Sequence, residues 1–316
     1  MGEFVGIDPR GAHELIRRME AVKAYLSGTR PVLDAAIAEA GQDWAGRQGT
    51  TAMHRAWMFL HESQQDLKWR IDTIEQLVPV RERGMLAAAF PFSSEPDARQ
   101  AAESAAQAIL AADKGTPGAG APGAGTVRDE VAGAVAAIEA EAGDPAYAAA
   151  LLEALGPETF TRLLEGLPRE QGRPLARAYA SAERTGRLGD AWHDLVGTAP
   201  SAALAALVTG AVQSGTVLNR VALTLLNRPQ DTAWSPRDLL QPYAADPLAF
   251  QQLLAEHPRE SRTLLSAATA DPSAAQALAT ALHEALQPGV GADGLRERAW
   301  TTVIGSPGGR PAAGGG

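Results

Sequence analysis

The sequence predicts an all-α protein: an N-terminal antiparallel helical hairpin and a C-terminal multi-helix bundle joined by a Gly/Ala/Pro linker. Three observations carry this. The apolar share, 45% of 316 residues, rests on Ala and Leu while aromatic residues make up only 5%, a composition that favours helices. Two stretches, 15–40 and 53–78, place apolar residues at alternating steps of four and three, the spacing that keeps one helix edge on a partner helix. A small or acidic residue followed by an early proline recurs through the second half of the chain, and each such pair marks a helix start.

The first helix opens at Asp8-Pro9, an N-cap followed by a residue whose missing N–H costs nothing at that position. Its expected seam is Leu15, Met19, Val22, Leu26, Thr29, Leu33, Ala36 and Ala40. Pro31 is expected to bend this helix without dividing it. The stretch "GQDWAGRQG" (41–49) reads as a turn, after which Thr50 or Thr51 caps a second helix. The second seam is Met53, Trp57, Leu60, Gln64, Leu67, Ile71, Ile74 and Val78, with Gln64 its one polar member. Both seams cover equal lengths, about 38 Å at ~1.5 Å per residue, and equal rods joined by a short turn fold back on one another. Met58, Phe59 and Trp69 lie off the seam where a two-helix hairpin alone cannot bury them. They are the candidate partner contacts.

Trp44-Ala45-Gly46 is a Trp-x-Gly sequence set between these two helices. On that motif and its placement, residues 1–80 resemble the Trp-x-Gly family of helical hairpins exported by type VII secretion systems. The resemblance implies that Trp44 and Gly46 form a turn and export motif. It also implies export without a cleaved signal and association, as a homodimer or with a protein partner, through the hairpin. The family's companion signal, Tyr-x-x-x-Asp/Glu, is expected just beyond the second helix, but nothing between 75 and 95 fits it. The match in this chain is Tyr179 and Glu183, about a hundred residues later. A chain that keeps the hairpin without being exported would instead be a cytoplasmic adaptor, chaperone or immunity-type partner.

Further along, 91–113 reads as a helix capped at Ser94 with Pro96 in its first turn. The expected organisation is a hairpin at 1–84, a connecting helix at 85–113, a flexible linker at 114–126, a helical domain at 127–290 and a largely disordered tail at 291–316. Helix starts are expected at 144, 199, 246 and 271, and Gly156 ends one helix where Pro157 opens the next. Residues 144–287 also resemble a helical domain of unassigned function found in large actinobacterial proteins, on "DPAYAAALLEALGPE", "GTVLNRVALTLL" and "DPLAFQQLLAEHPRESRTLL".

Composition narrows the function classes. Formal net charge is −9 and the sequence pI is about 5.2, so no basic field awaits a phosphate backbone and no nucleic-acid partner is expected. Cysteine is absent, which removes disulfides, thiolate nucleophiles and Cys-based metal sites. The N-terminus "MGEFVGIDPRGAHE" has no basic segment followed by an apolar one. The expected location is therefore cytoplasmic, or secreted without a cleavable signal peptide. The most apolar stretch, 199–226, contains Thr209, Gln213, Ser214, Asn219 and Arg220, each unfavourable in a bilayer, so it should form a buried helix pair and not a membrane span.

No catalytic residue, metal or cofactor is expected. Gly118, Gly120 and Gly123 spell G-x-G-x-x-G inside the linker, but no strand precedes them and no Lys follows. Of the histidines His13, His54, His61, His193, His257 and His283, His54 and His61 stand about 10 Å apart along one helix face. His193 and Asp194 are sequence neighbours whose side chains diverge on a helix. The reading is a non-enzymatic protein that acts through helix–helix association.

Overall fold

The computed structural model describes residues 4–40, 43–77, 86–89, 91–114, 124–228 and 233–305. These residues are helical apart from turns and one two-stranded antiparallel ribbon. In the ribbon β1 (Phe4–Ile7) pairs with β2 (Leu86–Ala89), Phe4 opposite Ala89 and Ile7 opposite Leu86. The sequence pattern did not foretell it: Leu-Ala-Ala-Ala has little intrinsic strand preference and becomes a strand only by pairing with a remote segment. The chain divides into two compact units, the first formed by residues 1–101 with 143–147 and the second by 102–142 with 148–316. The expected boundary at 84/85 is thereby displaced, because β2 returns to β1.

In the first unit, α1 (Pro9–Ala40) starts where Asp8 accepts hydrogen bonds from the Arg10 amide (3.1 Å) and the Gly11 amide (3.2 Å). It continues through Pro31, which faces solvent. The second helix, α2 (Asp43–Leu77), begins well before Thr50. Trp44 and Gly46 therefore lie in its first turn and not in a loop; a helical glycine costs only about 1 kcal/mol, which a helix of this length absorbs. The Trp44 side chain, Val78, and the stretches 115–123 and 306–316 lie outside the described residues. The third helix, α3 (Glu95–Lys114), opens as expected, with the Asp97 amide donating to Ser94 Oγ at 3.3 Å.

Residues 143–147 complete the first unit through one carboxylate. Asp144 accepts from the Ala146 and Tyr147 amides, both at 2.9 Å, and so caps α5 (Pro145–Gly166). The same carboxylate accepts from Trp69 Nε1 at 3.2 Å and Thr73 Oγ1 at 3.3 Å, both on α2. Asp144 is 1% exposed and Trp69 and Thr73 are fully buried. Phe92 stacks on Tyr147 alongside, ring centroids 5.4 Å apart.

The second unit holds α4 (Ala124–Ala136), α6 (Arg169–Arg184), α7 (Leu195–Thr198), α8 (Ser201–Gly210), α9 (Gly215–Leu226), α10 (Pro236–Ala245), α11 (Pro247–Glu256), α12 (Pro258–Ala270), α13 (Ala275–Ala285) and α14 (Asp293–Ile304). Gly156 interrupts α5 at φ 73° as expected, since the left-handed region strains any residue with a Cβ. α6 packs on α4 and α8, α10 on α13, and α11 on α9, α13 and α14. Phe160, Tyr179 and Trp192 form one aromatic cluster. Tyr243 stacks on Phe250 while its hydroxyl donates to Asn219 Oδ1 at 2.8 Å. The 199–226 stretch folds as the two separate helices α8 and α9, and no helix of the described residues is long and apolar enough to cross a membrane.

Two expectations need correction here. The segment starting "DPSAA" first makes a turn: Asp271 accepts from the Ser273 amide at 2.9 Å, and α13 begins only at Ala275. The supposed tail from 291 contains α14, which buries Ala299 and Thr302. Its large apolar residues Trp300 and Ile304 are exposed while Thr302 is buried, so no apolar stripe announces the helix. Gly291 (φ +65°) is tightly enclosed, since a Cβ there would press against the Gln251 amide oxygen and come within 3.0 Å of Leu248 Cδ1. A proline pair that the sequence reading passed over, Ser235-Pro236, opens α10. There Asp238 accepts from the Ser235 amide at 2.8 Å and forms a two-pronged pair with Arg169. Burial alone would raise the Asp238 carboxyl, but the hydrogen bonds from Arg169 and Ser235 outweigh it and hold it below its ordinary value.

Burial holds the Asp144 carboxyl above its ordinary value, with its four donors only partly opposing the shift. The folded state then takes up its proton at higher pH than the unfolded state. This group's contribution to stability therefore rises as pH falls from the folded value toward the ordinary one of 3.8. Asp144→Asn, followed by thermal unfolding across that interval, should remove this slope. Asp144→Ala, which removes the acceptor of the Trp69 N–H and the cap of α5, should cost about 2–4 kcal/mol. Gly291→Ala should lower stability by about 1–3 kcal/mol, read by denaturant unfolding, because both the positive φ and the enclosure oppose a Cβ.

Candidate functional site

The apolar residues of α1 supply more hydrophobic surface than one neighbour covers. Its shielded side carries Ala12, Ile16, Met19, Lys23, Leu26, Leu33 and Ile37, all buried or half-buried. Across from it, Lys23 Nζ donates to Gln64 Oε1 at 2.8 Å and to His61 Nδ1 at 3.1 Å, and lies 5.3 Å from the centre of the Trp57 ring. Leu26 and Arg30 line one cavity of about 310 Å³ with Met53 and Trp57. As positions on α1 advance, their partners on α2 recede, so the two helices run in opposite directions.

Gln64 is the polar position that interrupts the second seam, and Lys23 is the residue that answers it. The sequence reading missed Lys23 because a lysine counts as polar in a periodicity, whereas its stem buries along the seam and only its ammonium requires partners. A polar pair inside an apolar seam fixes register, since sliding either helix by one turn would leave both groups unpaired.

On the adjacent side of α1, Leu15, Val22, Tyr25 and Val32 are 50%, 46%, 71% and 68% exposed. Thr29 and Ala36 continue the same line. These residues occupy alternating positions of a heptad: Leu15, Val22, Thr29 and Ala36 on one row, Tyr25 and Val32 on the other. The expected α1 seam thus divides: Met19, Leu26 and Leu33 face inward, while Leu15, Val22 and Ala36 do not. An apolar band this broad contains two overlapping four-three series, and spacing alone does not say which one meets α2.

The three off-seam candidates separate as well. Met58 and Phe59 are exposed, at 36% and 68%. Trp69 is not available as a partner contact, because its indole is fully buried and bonded to Asp144. The motif residues Trp44 and Gly46 stand at the start of α2, at the end of the helix pair remote from Trp69. Tyr179 lies inside the second unit, 3% exposed, and burial together with the nearby Glu183 charge pushes its hydroxyl up to about 12. Glu183 Oε1 accepts from Ser214 Oγ at 2.9 Å. His61 is engaged by Lys23 and stacks on Trp57 with centroids 5.0 Å apart. Among the described residues no three His, Asp or Glu side chains converge to hold a metal ion.

The exposures make a mutational contrast. Tyr25→Ser and Phe59→Ser should each change unfolding free energy of the dilute protein by no more than about 0.5 kcal/mol. Trp69→Ala should cost about 3–5 kcal/mol in the same denaturant titration.

Comparison with protein-family models, with curated proteins and with solved structures finds no match to this chain.

Proposed function

We propose that this chain is a non-enzymatic, secretion-associated docking protein, a type VII substrate or substrate-like module, whose N-terminal helix pair associates with a second helical hairpin. The observation that supports this is the exposed heptad series Leu15, Val22, Tyr25 and Val32 on α1. A two-row series of that spacing drifts only about 20° per heptad around a straight helix, so a partner helix follows it by gentle left-handed coiling. A flat protein surface has no such need of periodicity. The Trp-x-Gly triplet at Trp44 and Gly46, in the first turn of α2, supports the secretion-associated part of the reading.

A second reading, a cytoplasmic adaptor or chaperone that uses the same hairpin, has one specific observation in its favour. Tyr179 is buried and Glu183 is bonded to Ser214, so the folded second unit does not display the Tyr-x-x-x-Glu pair to an export machine.

The joint replacement Val22→Asp and Val32→Asp should abolish association, read as the mass in solution of purified protein mixed with its co-purifying partner, or of the chain alone if the partner is a second copy. Helicity by circular dichroism should be retained. Association that survives both charges would refute docking through this face. Full-length chain in the medium of unlysed cells, lost on Trp44→Ala, supports the export reading; retention in the cytosol of every cell examined supports the adaptor.

A further inference from the structure

Although the chain is acidic overall, α6 carries a row of arginines on one face. Arg173, Arg177 and Arg184 follow one another at four and seven residues, within about 40° of a common line on a helix of 3.6 residues per turn. All three line a cavity of about 460 Å³ in the second unit, a volume in the range of small-ligand sites. Its other walls are the end of α8 and the bend after it, including Val212 and Gln213, and the end of α10 with the carboxylate residue Asp246; the acidic residue Glu139 lies beside the arginines.

The arginines are incompletely neutralised. Arg173 pairs with Glu170, which is itself 84% exposed. Arg177 approaches Glu139 Oε1 at 3.6 Å. Arg184 donates Nε to the Ala180 carbonyl at 3.2 Å and has no carboxylate ion-pair partner among the described residues. Burial depresses the Arg184 guanidinium, Glu183 opposes this, and the charge of Arg177 depresses it further.

A second, independent feature lies in the opposite wall. Gln213 is 4% exposed, and its Nε2 donates to the Leu207 carbonyl at 2.9 Å and the Ala176 carbonyl at 3.4 Å. Those two acceptors fix which end of the amide is nitrogen. Oε1 is then buried with no donor, a condition that costs about 1–3 kcal/mol unless a partner arrives. The bend lies close against α6, since a Cβ at Gly210 would come 2.8 Å from Ala176 Cβ. Val212, 59% exposed, adds an uncovered apolar surface to the same wall.

We propose that this cavity binds a small organic oxyanion bearing a hydroxyl or N–H group, its anionic groups held by Arg173, Arg177 and Arg184 and its donor by Gln213 Oε1. Donors alone would suit any anion; the orphaned acceptor selects one that also donates. The apolar wall takes the carbon skeleton.

Isothermal titration of the full chain with citrate, tricarballylate and inorganic phosphate tests this. Citrate carries carboxylates and a hydroxyl, tricarballylate the same carboxylates without the hydroxyl, and phosphate the charge of a phosphoryl group without a carbon skeleton. One-to-one binding of citrate, about five- to tenfold tighter than tricarballylate, is the expected result. Arg184→Gln should weaken citrate about tenfold with helicity and a cooperative thermal transition retained, since this partly exposed side chain makes one hydrogen bond among the described residues, to the Ala180 carbonyl. Phosphate binding that matches citrate and is equally sensitive to Arg184→Gln would assign the site to phosphorylated compounds. Equal affinity for citrate and tricarballylate would overturn the role of Gln213. Absence of heat with all three at millimolar concentration, or binding indifferent to Arg184→Gln, would overturn the site.

Discussion

A single buried carboxylate sets the local order of the first unit. Asp144 receives two backbone amides of α5, the indole of Trp69 and the hydroxyl of Thr73. Each of those donors meets one of its two oxygens within 3.3 Å. The carboxylate in turn is tolerable only because all four arrive, since an ionised oxygen pair taken out of water with fewer partners would neutralise instead. Net burial still holds its proton more tightly than usual, so the node is a specificity device more than a source of free energy. It determines where the α5 N-terminus meets α2, and the stacking of Phe92 on Tyr147 follows from that placement.

The local chemistry of this node was legible in the sequence, but its long-range part was not. Asp-Pro at 144 announces a helix start, and the cap forms as such a pair dictates. Nothing in the dipeptide says that the same oxygen atoms will serve an indole 75 residues earlier. Trp69 accordingly reads as a candidate partner contact: periodicity reports which residues leave a seam, not what else covers them. The helix starts at 8, 94 and 246 are equally local and equally readable. The start at 271 failed because Ser273 offers Asp271 a competing turn. α14 carries no apolar stripe to announce it, and the role of the Gly291 before it is visible only once Gln251 and Leu248 stand beside it.

The arginine row illustrates a different limit. Its four- and seven-residue spacing is present in "REQGRPLARAYASAER", and a charge-periodicity search would find it. What converts a solvated basic stripe into a cavity wall is the bend after α8, brought close by the small pair Gly210 and Ala176. Overall charge is a poor guide here, because a negative total says nothing about a local excess of guanidinium on one helix face.

The geometry of α1 bears on what a partner would look like. Its shielded row runs through Met19, Lys23 and Leu26, and its exposed row through Leu15, Val22, Tyr25 and Val32. On a helix turning about 100° per residue, the centres of these two rows lie roughly a quarter-turn apart. A helix with one seam needs one neighbour; a helix with two seams at nearly a right angle has the arrangement of a corner in a four-helix bundle. α2 fills one of those directions. A second antiparallel pair would fill the other and also reach the diagonal, which is why an incoming hairpin suits this face better than a lone helix. The Lys23–Gln64 pair fixes the register of the first two helices before any partner arrives, so the exposed row is presented as a preformed edge and association would not require the pair to refold.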